Sequence, residues 1–326
     1  MIDFDLPHSY IATQPAHPRD HARLLIYDRT SKTITDDYFY NLQSYLPTAT
    51  TLVLNNSKVE HCRWLFDGGI EIFVLQKLDT HTIRAMVRKG NKFKQDQVTH
   101  LTDWLHIHTL AIDTDGIRTL RLNVSHDDKR LQQYEHVPLP PYIPQNDALA
   151  KEYQTVYAKP LGSKAAPTAG LHFTKKLLQD INTKHTVTEV TLHVGLGTFA
   201  PLTDAQLARG HLHSEWYEID KNSSELLNKA QHITAVGTTS VRTLESNKTK
   251  HGQFVAETTT TDILIQPGYK WKAVNAMITN FHLPGTSLLL LVESFVGSKS
   301  ELQRIYDHAI AQSYRFYSFG DAMLII

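Results

Sequence analysis

The chain has 326 residues, 41% of them apolar and 20% charged, which describes about two globular domains and excludes a fibrous or disordered chain. Its 33 basic and 33 acidic side chains cancel, so no overall positive charge draws in nucleic acid, and such a partner must meet a local patch. A single cysteine, Cys62, excludes an internal disulfide or a four-cysteine zinc site and fits a reducing cytoplasm.

The N-terminus, MIDFD, is acidic and has no apolar core, so it does not read as a signal peptide. Ala22–Asp28 and Thr51–Asn55 read as buried strands. From Gly69 to about Val124 short alternating runs (IEIFVLQ, TIRAMVRK, WLHIHTLAI, GIRTLRLNV) follow one another between turn residues. This texture predicts a small antiparallel β-barrel or sandwich. Ser125–Glu135 is polar enough for a helix, and four prolines within Pro138–Pro144 predict an extended return linker.

Beyond the linker the pattern alternates. Helices are expected at Thr174–Asn182 (capped by Thr174), Asn222–Ala230, Thr239–Asn247, Ser287–Val296 and Lys299–Gln312. Strands are expected at Val187–Val194, Ile233–Val236, Asp262–Ile265 and Ala276–Thr279. The most apolar run, Leu288–Val292, is far shorter than the roughly 20 residues a membrane span needs, so no membrane segment is expected. The class is α/β: a mixed sheet with flanking helices over residues 1–59 and 138–326, with residues 60–137 inserted as the antiparallel β-barrel domain.

Polar and glycine-bearing clusters stand at the ends of the α/β strands: 165–173, 191–199, 211–215, 236–245 and 279–284. Ligands of open α/β sheets bind beyond the carboxyl ends of strands, so these clusters predict one small-molecule site. Gly195-Leu196-Gly197 lacks the third glycine of a dinucleotide fingerprint, because Ala200 stands there. Gly237-Thr238-Thr239-Ser240 opens a helix, where free N–H groups suit an anion or hydroxyl. His172, His193, His213 and His282 each lie in a cluster and carry the pKa range of a general acid or base. The pairs His106/His108 and His211/His213 are spaced to chelate from a strand, but no third ligand follows, so no metal is expected. Arg84, Arg88, Lys89, Lys92 and Lys94 form a basic run that the Gly90-Asn91 turn places at a hairpin tip. With Phe93 beside it, such a tip suits a phosphate backbone.

The segments PLPPYI (138–143), YQTVYA (153–158), AAPTAGLHF (165–173), VTLHVGLGTF (190–199), AVGTTSVRTLES (235–246), TNFHLP (279–284) and YRFYSFGDAMLI (314–325) resemble the S-adenosylmethionine:tRNA ribosyltransferase-isomerase family. FDLP (4–7) and PRDHARLLIYDR (18–29) are similar too, so the resemblance spans nearly the whole chain. It implies an enzyme of queuosine biosynthesis that moves the ribosyl part of S-adenosylmethionine onto 7-aminomethyl-7-deazaguanine at the tRNA wobble position. Epoxyqueuosine forms, and adenine and methionine leave. It implies S-adenosylmethionine as co-substrate, tRNA as partner, no prosthetic group and no metal. A monomer is expected.

That chemistry needs acid–base groups near neutrality and a grip on the sulfonium and its carboxylate. His172, His193 and Glu215 are the expected catalytic residues, the two histidines because small neighbours would partly desolvate them. Thr168, Gly195, Gly197, Thr198, His213, Thr239, Arg242, Asn280 and His282 are expected to bind substrate, with Arg242, in the first turn of its helix, on the methionine carboxylate. The basic run Arg84, Arg88, Lys89, Lys92 and Lys94 is expected to bind tRNA. The chain departs from the family's usual Asn-Asp-Thr-Arg-Val-Ile-Pro-Ala-Arg-Leu at Asn55-Asn56-Ser57-Lys58-Val59-Glu60-His61-Cys62-Arg63-Trp64-Leu65, and Ser163-Lys164 replaces a small or apolar pair. The alternatives are a non-catalytic RNA-binding paralogue and a metal-dependent hydrolase built on the His-x-His pairs.

Overall fold

A computed structural model describes residues 2–195 and 204–326. The chain divides into two compact units, residues 1–58, 141–144 and 151–326 in one, and 59–140 with 145–150 in the other. The strands are, in chain order, β1 (Arg23–Tyr27), β2 (Ile34–Tyr38), β3 (Thr50–Asn55), β4 (Lys58–Val59), β5 (Arg63–Phe66), β6 (Ile70–Lys77), β7 (Thr82–Arg88), β8 (Val98–His100), β9 (His106–Ile112), β10 (Arg118–Leu122) and β11 (Glu135–His136). They continue with β12 (Leu161–Ser163), β13 (Thr186–Leu192), β14 (His211–Ile219), β15 (His232–Val236), β16 (Glu257–Ile263), β17 (Ala276–Asn280) and β18 (Ala322–Ile325). The helices are α1 (Asp147–Glu152), α2 (Lys175–Asn182), α3 (Asp204–Arg209), α4 (Lys221–Lys229), α5 (Gly237–His251), α6 (Ser287–Val296) and α7 (Lys299–Ala311).

The first unit is built on a nine-stranded sheet ordered β16-β14-β13-β3-β15-β17-β18-β1-β2. Its centre, β13-β3-β15-β17, is parallel. Such strands are covered on both faces, which is why TLVLN and AMITN are apolar without polar alternation and buried at every residue. The pleat sends alternate side chains to two cores. Leu25, Val53 and Met277 pack with Leu244, Leu289, Phe295 and Ile305 of α5, α6 and α7. Leu24, Leu52, Leu54 and Ile278 pack with Phe39, Phe173, Leu177 and Ile181 on the other face. Thr174, Asp220, Thr286 and Ser298 cap α2, α4, α6 and α7 through their side chains, whereas α5 begins after Val236 with no side-chain cap. No helix among the described residues is long and apolar enough to cross a membrane.

The second unit is a seven-stranded antiparallel sheet ordered β11-β5-β6-β7-β10-β9-β8, curled round Trp64, Ile72, Ile83, Phe93, Leu105, Ile107 and Leu120. Its edges β11 and β8 share no ladder, so the predicted barrel is a half-barrel. Two expectations fail locally. Ser125–Glu135 is not an α-helix but a short 3-10 turn, Lys129–Gln133, capped by Asp128 and running into β11. The basic run is not a hairpin tip, because β7 pairs with β6 and β10 while β8 lies at the far edge. The polar edge strand β2, the long β14 and the terminal β18 carry no alternation that singles them out in the sequence.

Candidate active site

A cleft of about 420 Å³, counting the open solvent at its mouth, lies in the first unit. Its walls come from the carboxyl ends of parallel strands: Val194 after β13, Gly237–Thr239 after β15, and Thr279, Asn280 and His282 at the end of β17. The loop Ala166–Ala169 and Leu288 of α6 close it. Gly237 turns the chain with φ 83°, a left-handed conformation that favours glycine. The first N–H groups of α5, left without a side-chain cap, thereby begin at the cleft wall, where they favour an acceptor or negative charge.

Buried polar groups hold this wall. Asn55, the last residue of β3, is fully buried, and its Nδ2 donates to the Leu192 carbonyl (3.0 Å) and to Thr239 Oγ1 (3.1 Å). Its Oδ1 accepts the N–H groups of Leu192 and Ser57. One amide therefore joins β3, β13 and the first turn of α5. At β17 the Thr168 hydroxyl donates to Asn280 Oδ1 at 2.8 Å, and Asn280 Nδ2 lies 3.2 Å from His172 Nε2. His172 is buried against the Phe39 ring, and that burial holds its pKa down to about 4. His282 is half-buried, with Nε2 2.9 Å from Thr279 Oγ1, and burial lowers its pKa to about 4 as well. Both rings are neutral at pH 7.

A second polar cluster adjoins these elements. Glu215 of β14 accepts the Gly195 N–H at 2.8 Å on one oxygen and pairs with Arg242 Nη1 on the other. Both side chains are buried. Arg242 Nε and Nη2 have no hydrogen-bond partner among the described residues. Arg242 sits three and four residues beyond Thr239 and Thr238, hence on the same side of α5 one turn deeper, and in the second helical turn rather than the first. His193 is locked differently. It stacks on Trp216 (4.7 Å, 14°), its Nδ1 meets Ser57 Oγ at 2.7 Å, and a Cβ at Gly162 would come within 2.5 Å of its Nε2. Asn56 bonds Glu189 and Thr191, so two positions where the chain departs from the family pattern, Asn56 and Ser57, are engaged with β13 and the residue after it.

Of the residues expected from sequence, Thr168, Thr239, Asn280 and His282 line the cleft together. His172 lies behind Asn280, and Gly195, Glu215 and Arg242 form the adjoining cluster. His172 and His193, expected as acid–base groups, are both outside the cleft lining: the first is buried behind an amide, and the second is packed against Trp216. His213 is exposed, on a stretch of β14 where the register to β16 shifts. Its cluster is not a strand-to-helix turn but the first five residues of an antiparallel strand. Gly197 and Thr198 lie outside the described residues. Asn55 was missed as a site residue, although an asparagine ending a buried apolar strand is a signal. No group of three or more His, Cys, Asp or Glu among the described residues is placed to hold a metal ion.

In the second unit Arg88, Lys89, Lys92 and Lys94 are exposed, while Arg84 pairs with Asp113 at 2.9 Å. Lys89 takes a left-handed conformation (φ 62°) and donates to the Gly68 carbonyl. Phe93, expected to flank a bound backbone, is fully buried in the half-barrel core and presents nothing to a ligand.

Comparison with known proteins gives consistent results. The family described as "Queuosine biosynthesis protein" matches residues 1–325. The chain is 39% identical to an S-adenosylmethionine:tRNA ribosyltransferase-isomerase of Sulfurihydrogenibium sp. (strain YO3AOP1), covering 100% of the chain and 98% of that relative. It is 40% identical to the protein of that name from Staphylococcus haemolyticus (strain JCSC1435), with the same coverage. Among solved structures it is similar to an S-adenosylmethionine tRNA ribosyltransferase from Thermotoga maritima, with 32% identity, a TM-score of 0.56 and 99% of each chain covered.

Proposed function

Because the chain belongs to the queuosine biosynthesis protein family, we propose that it is an S-adenosylmethionine:tRNA ribosyltransferase-isomerase. It moves the ribosyl moiety of S-adenosylmethionine onto the aminomethyl group of a 7-deazaguanine base in tRNA, giving epoxyqueuosine and releasing adenine and methionine. One observation carries the assignment of the site: three segments far apart in sequence, 166–169, 237–239 and 279–282, supply most of one cleft at the ends of parallel strands. All three lie within segments whose sequences resemble the family.

In this reading the sulfonium substrate lies in the cleft, and each wall group has a role set by its geometry. The uncapped start of α5 and the Thr239 hydroxyl donate to acceptors of the substrate. Arg242 stands behind the cleft wall, one helical turn deeper. Its buried Nε and Nη2, without a hydrogen-bond partner among the described residues, form the guanidinium edge that takes a carboxylate in two parallel hydrogen bonds, in this reading the methionine carboxylate. Glu215 serves here to hold Arg242, since one of its oxygens accepts from Gly195 and the other pairs with Arg242. His282 binds as a neutral ring. The positive sulfur acidifies the adjoining ribose carbon, so a modest base suffices to take its proton. The attacking amine must be unprotonated, and adenine departs more readily when a ring nitrogen gains a proton. The exposed Arg88, Lys89, Lys92 and Lys94 contact the tRNA backbone, with Arg84 held back by Asp113.

The test is direct. The purified chain, S-adenosylmethionine and tRNA carrying the aminomethyl-deazaguanine base should release adenine and methionine in equal amounts as the tRNA gains the ribosyl-derived mass. Binding of that tRNA without adenine release would identify a non-catalytic RNA-binding paralogue and end the proposal.

A further inference from the structure

The hydrogen bonds at the Thr168 wall have a direction. The Thr168 hydroxyl donates to Asn280 Oδ1 at 2.8 Å. That choice commits the other end of the same amide, because Nδ2 only donates and it faces His172 Nε2 at 3.2 Å. Nε2 must then be the unprotonated ring nitrogen, with the proton on Nδ1. Building on the reading that S-adenosylmethionine occupies the cleft, we infer that His172 is a positioning residue: through Asn280 it turns the Thr168 hydroxyl hydrogen away from the ligand, so that Thr168 offers only an acceptor and selects a ligand N–H or O–H group.

His172 is 4% exposed, packs on Phe39 and does not line the cleft, whereas Asn280 and Thr168 both do. It therefore reaches the ligand through Asn280. Thr168 has a single hydroxyl hydrogen, and once that is given to Oδ1 only lone pairs remain. Reversing the amide would reverse the wall: Nδ2 would donate to Thr168, and the threonine would point its hydrogen at the ligand. Elsewhere in the cleft the polarity is opposite. Thr239 Oγ1 accepts from Asn55 Nδ2, which leaves its hydrogen to donate, beside the uncapped N–H groups of α5. The cleft thus asks for a donor at Thr168 and an acceptor at Thr239. S-adenosylmethionine carries both kinds, an amino group and ribose hydroxyls against a carboxylate and ring nitrogens. Burial keeps the His172 ring neutral down to about pH 4, so the arrangement holds through the physiological range.

Nitrogen-15 NMR of the full-length protein labelled at histidine reads the ring itself. Nδ1 should carry the proton and Nε2 none, without change between about pH 5 and 8. A proton on Nε2 at neutral pH overturns the inference. Calorimetric binding of S-adenosylmethionine reads the consequence. Thr168→Val removes the acceptor and should weaken binding roughly tenfold, the scale of one hydrogen bond. His172→Ala should weaken it to a similar extent, and His172→Gln, whose Oε1 can accept where Nε2 did, should recover most of that loss. In a Thr168→Val background His172→Ala should cost less than about twofold more, because both changes remove the same interaction. Additive losses, or no recovery with glutamine, would mark a merely structural histidine and overturn the inference. If the unaltered protein binds no S-adenosylmethionine, the proposed occupant of the cleft is wrong, and the ring-nitrogen spectrum still decides the relay.

Discussion

The two units handle charge in opposite ways. In the α/β unit Glu215, Arg242 and Glu245 are buried. Glu245, fully buried, accepts from the N–H groups of Ala273 and Val274 and from the Tyr269 hydroxyl, all within 3.0 Å. In the half-barrel unit the four cations Arg88, Lys89, Lys92 and Lys94 stand in solvent. A buried charge is worth its partners: it is costly to strand, insensitive to salt, and it fixes a direction in space. An exposed charge adds almost nothing to stability and acts through a field that salt screens. In the proposed reading the buried charges orient one small substrate and the exposed ones meet the tRNA backbone.

This contrast can be broken at its strongest point first. Glu215→Ala leaves the Arg242 guanidinium buried without its counter-ion and should cost about 3–5 kcal/mol in urea unfolding. A loss below about 1 kcal/mol would show that the pair is not coupled as its burial implies. Arg242→Met, which keeps the volume, should weaken S-adenosylmethionine binding by about tenfold or more, the share of a charge-assisted contact.

Asn55→Ala comes next. It removes an amide that bonds Leu192 twice, Ser57 and Thr239, and strands those groups in the interior. About 3 kcal/mol is expected, measured by the same unfolding experiment. Asn55→Asp should cost at least as much, because it buries a carboxylate whose second oxygen faces the Leu192 carbonyl.

Acidity sharpens the comparison further. His172 has a folded-state pKa of about 4 against 6.5 when exposed. Between those values the unfolded chain binds the proton and the folded chain refuses it, so this group's share of stability is intact above about pH 6.5 and falls as pH drops toward 4. The share is at most about 3 kcal/mol. Unfolding free energies at pH 7 and pH 5 should differ less in His172→Gln than in the parent chain, and equal differences would show the ring is not desolvated.

The smallest change in stability is expected in the half-barrel unit. Replacing Arg88, Lys89, Lys92 and Lys94 by alanine should move unfolding free energy by no more than about 0.5 kcal/mol. The same variant should bind tRNA more weakly, with a flatter salt dependence, by roughly 0.7–0.9 in log–log slope per lost phosphate contact. An unchanged slope would show that the run is only solvated.

Much of this was legible in the chain as a string. TLVLN and AMITN announce buried strands because a parallel sheet covers both faces, Thr174 announces the start of α2, and the clusters at 165–169, 236–239 and 279–282 stand where parallel strands end. These features are local: each depends on residues within a turn or a pleat of one another, and periodicity reports them. The pairings that define the site are not local. Asn280 meets His172 across 108 positions, Arg242 meets Glu215 across 27, and Asn55 reaches Thr239 across 184. Which of these meet follows from the strand order β13-β3-β15-β17, and no periodicity encodes that order. For the same reason two histidines beside glycines looked like acid–base groups, yet one is enclosed behind an asparagine and the other is stacked on Trp216. The basic run looked like a hairpin because its turn is local, while the sheet positions of β7 and β8 are set by the whole half-barrel. Burial and hydrogen-bond direction, which decide whether a polar side chain reacts, binds or only positions, arise when distant segments exclude water together.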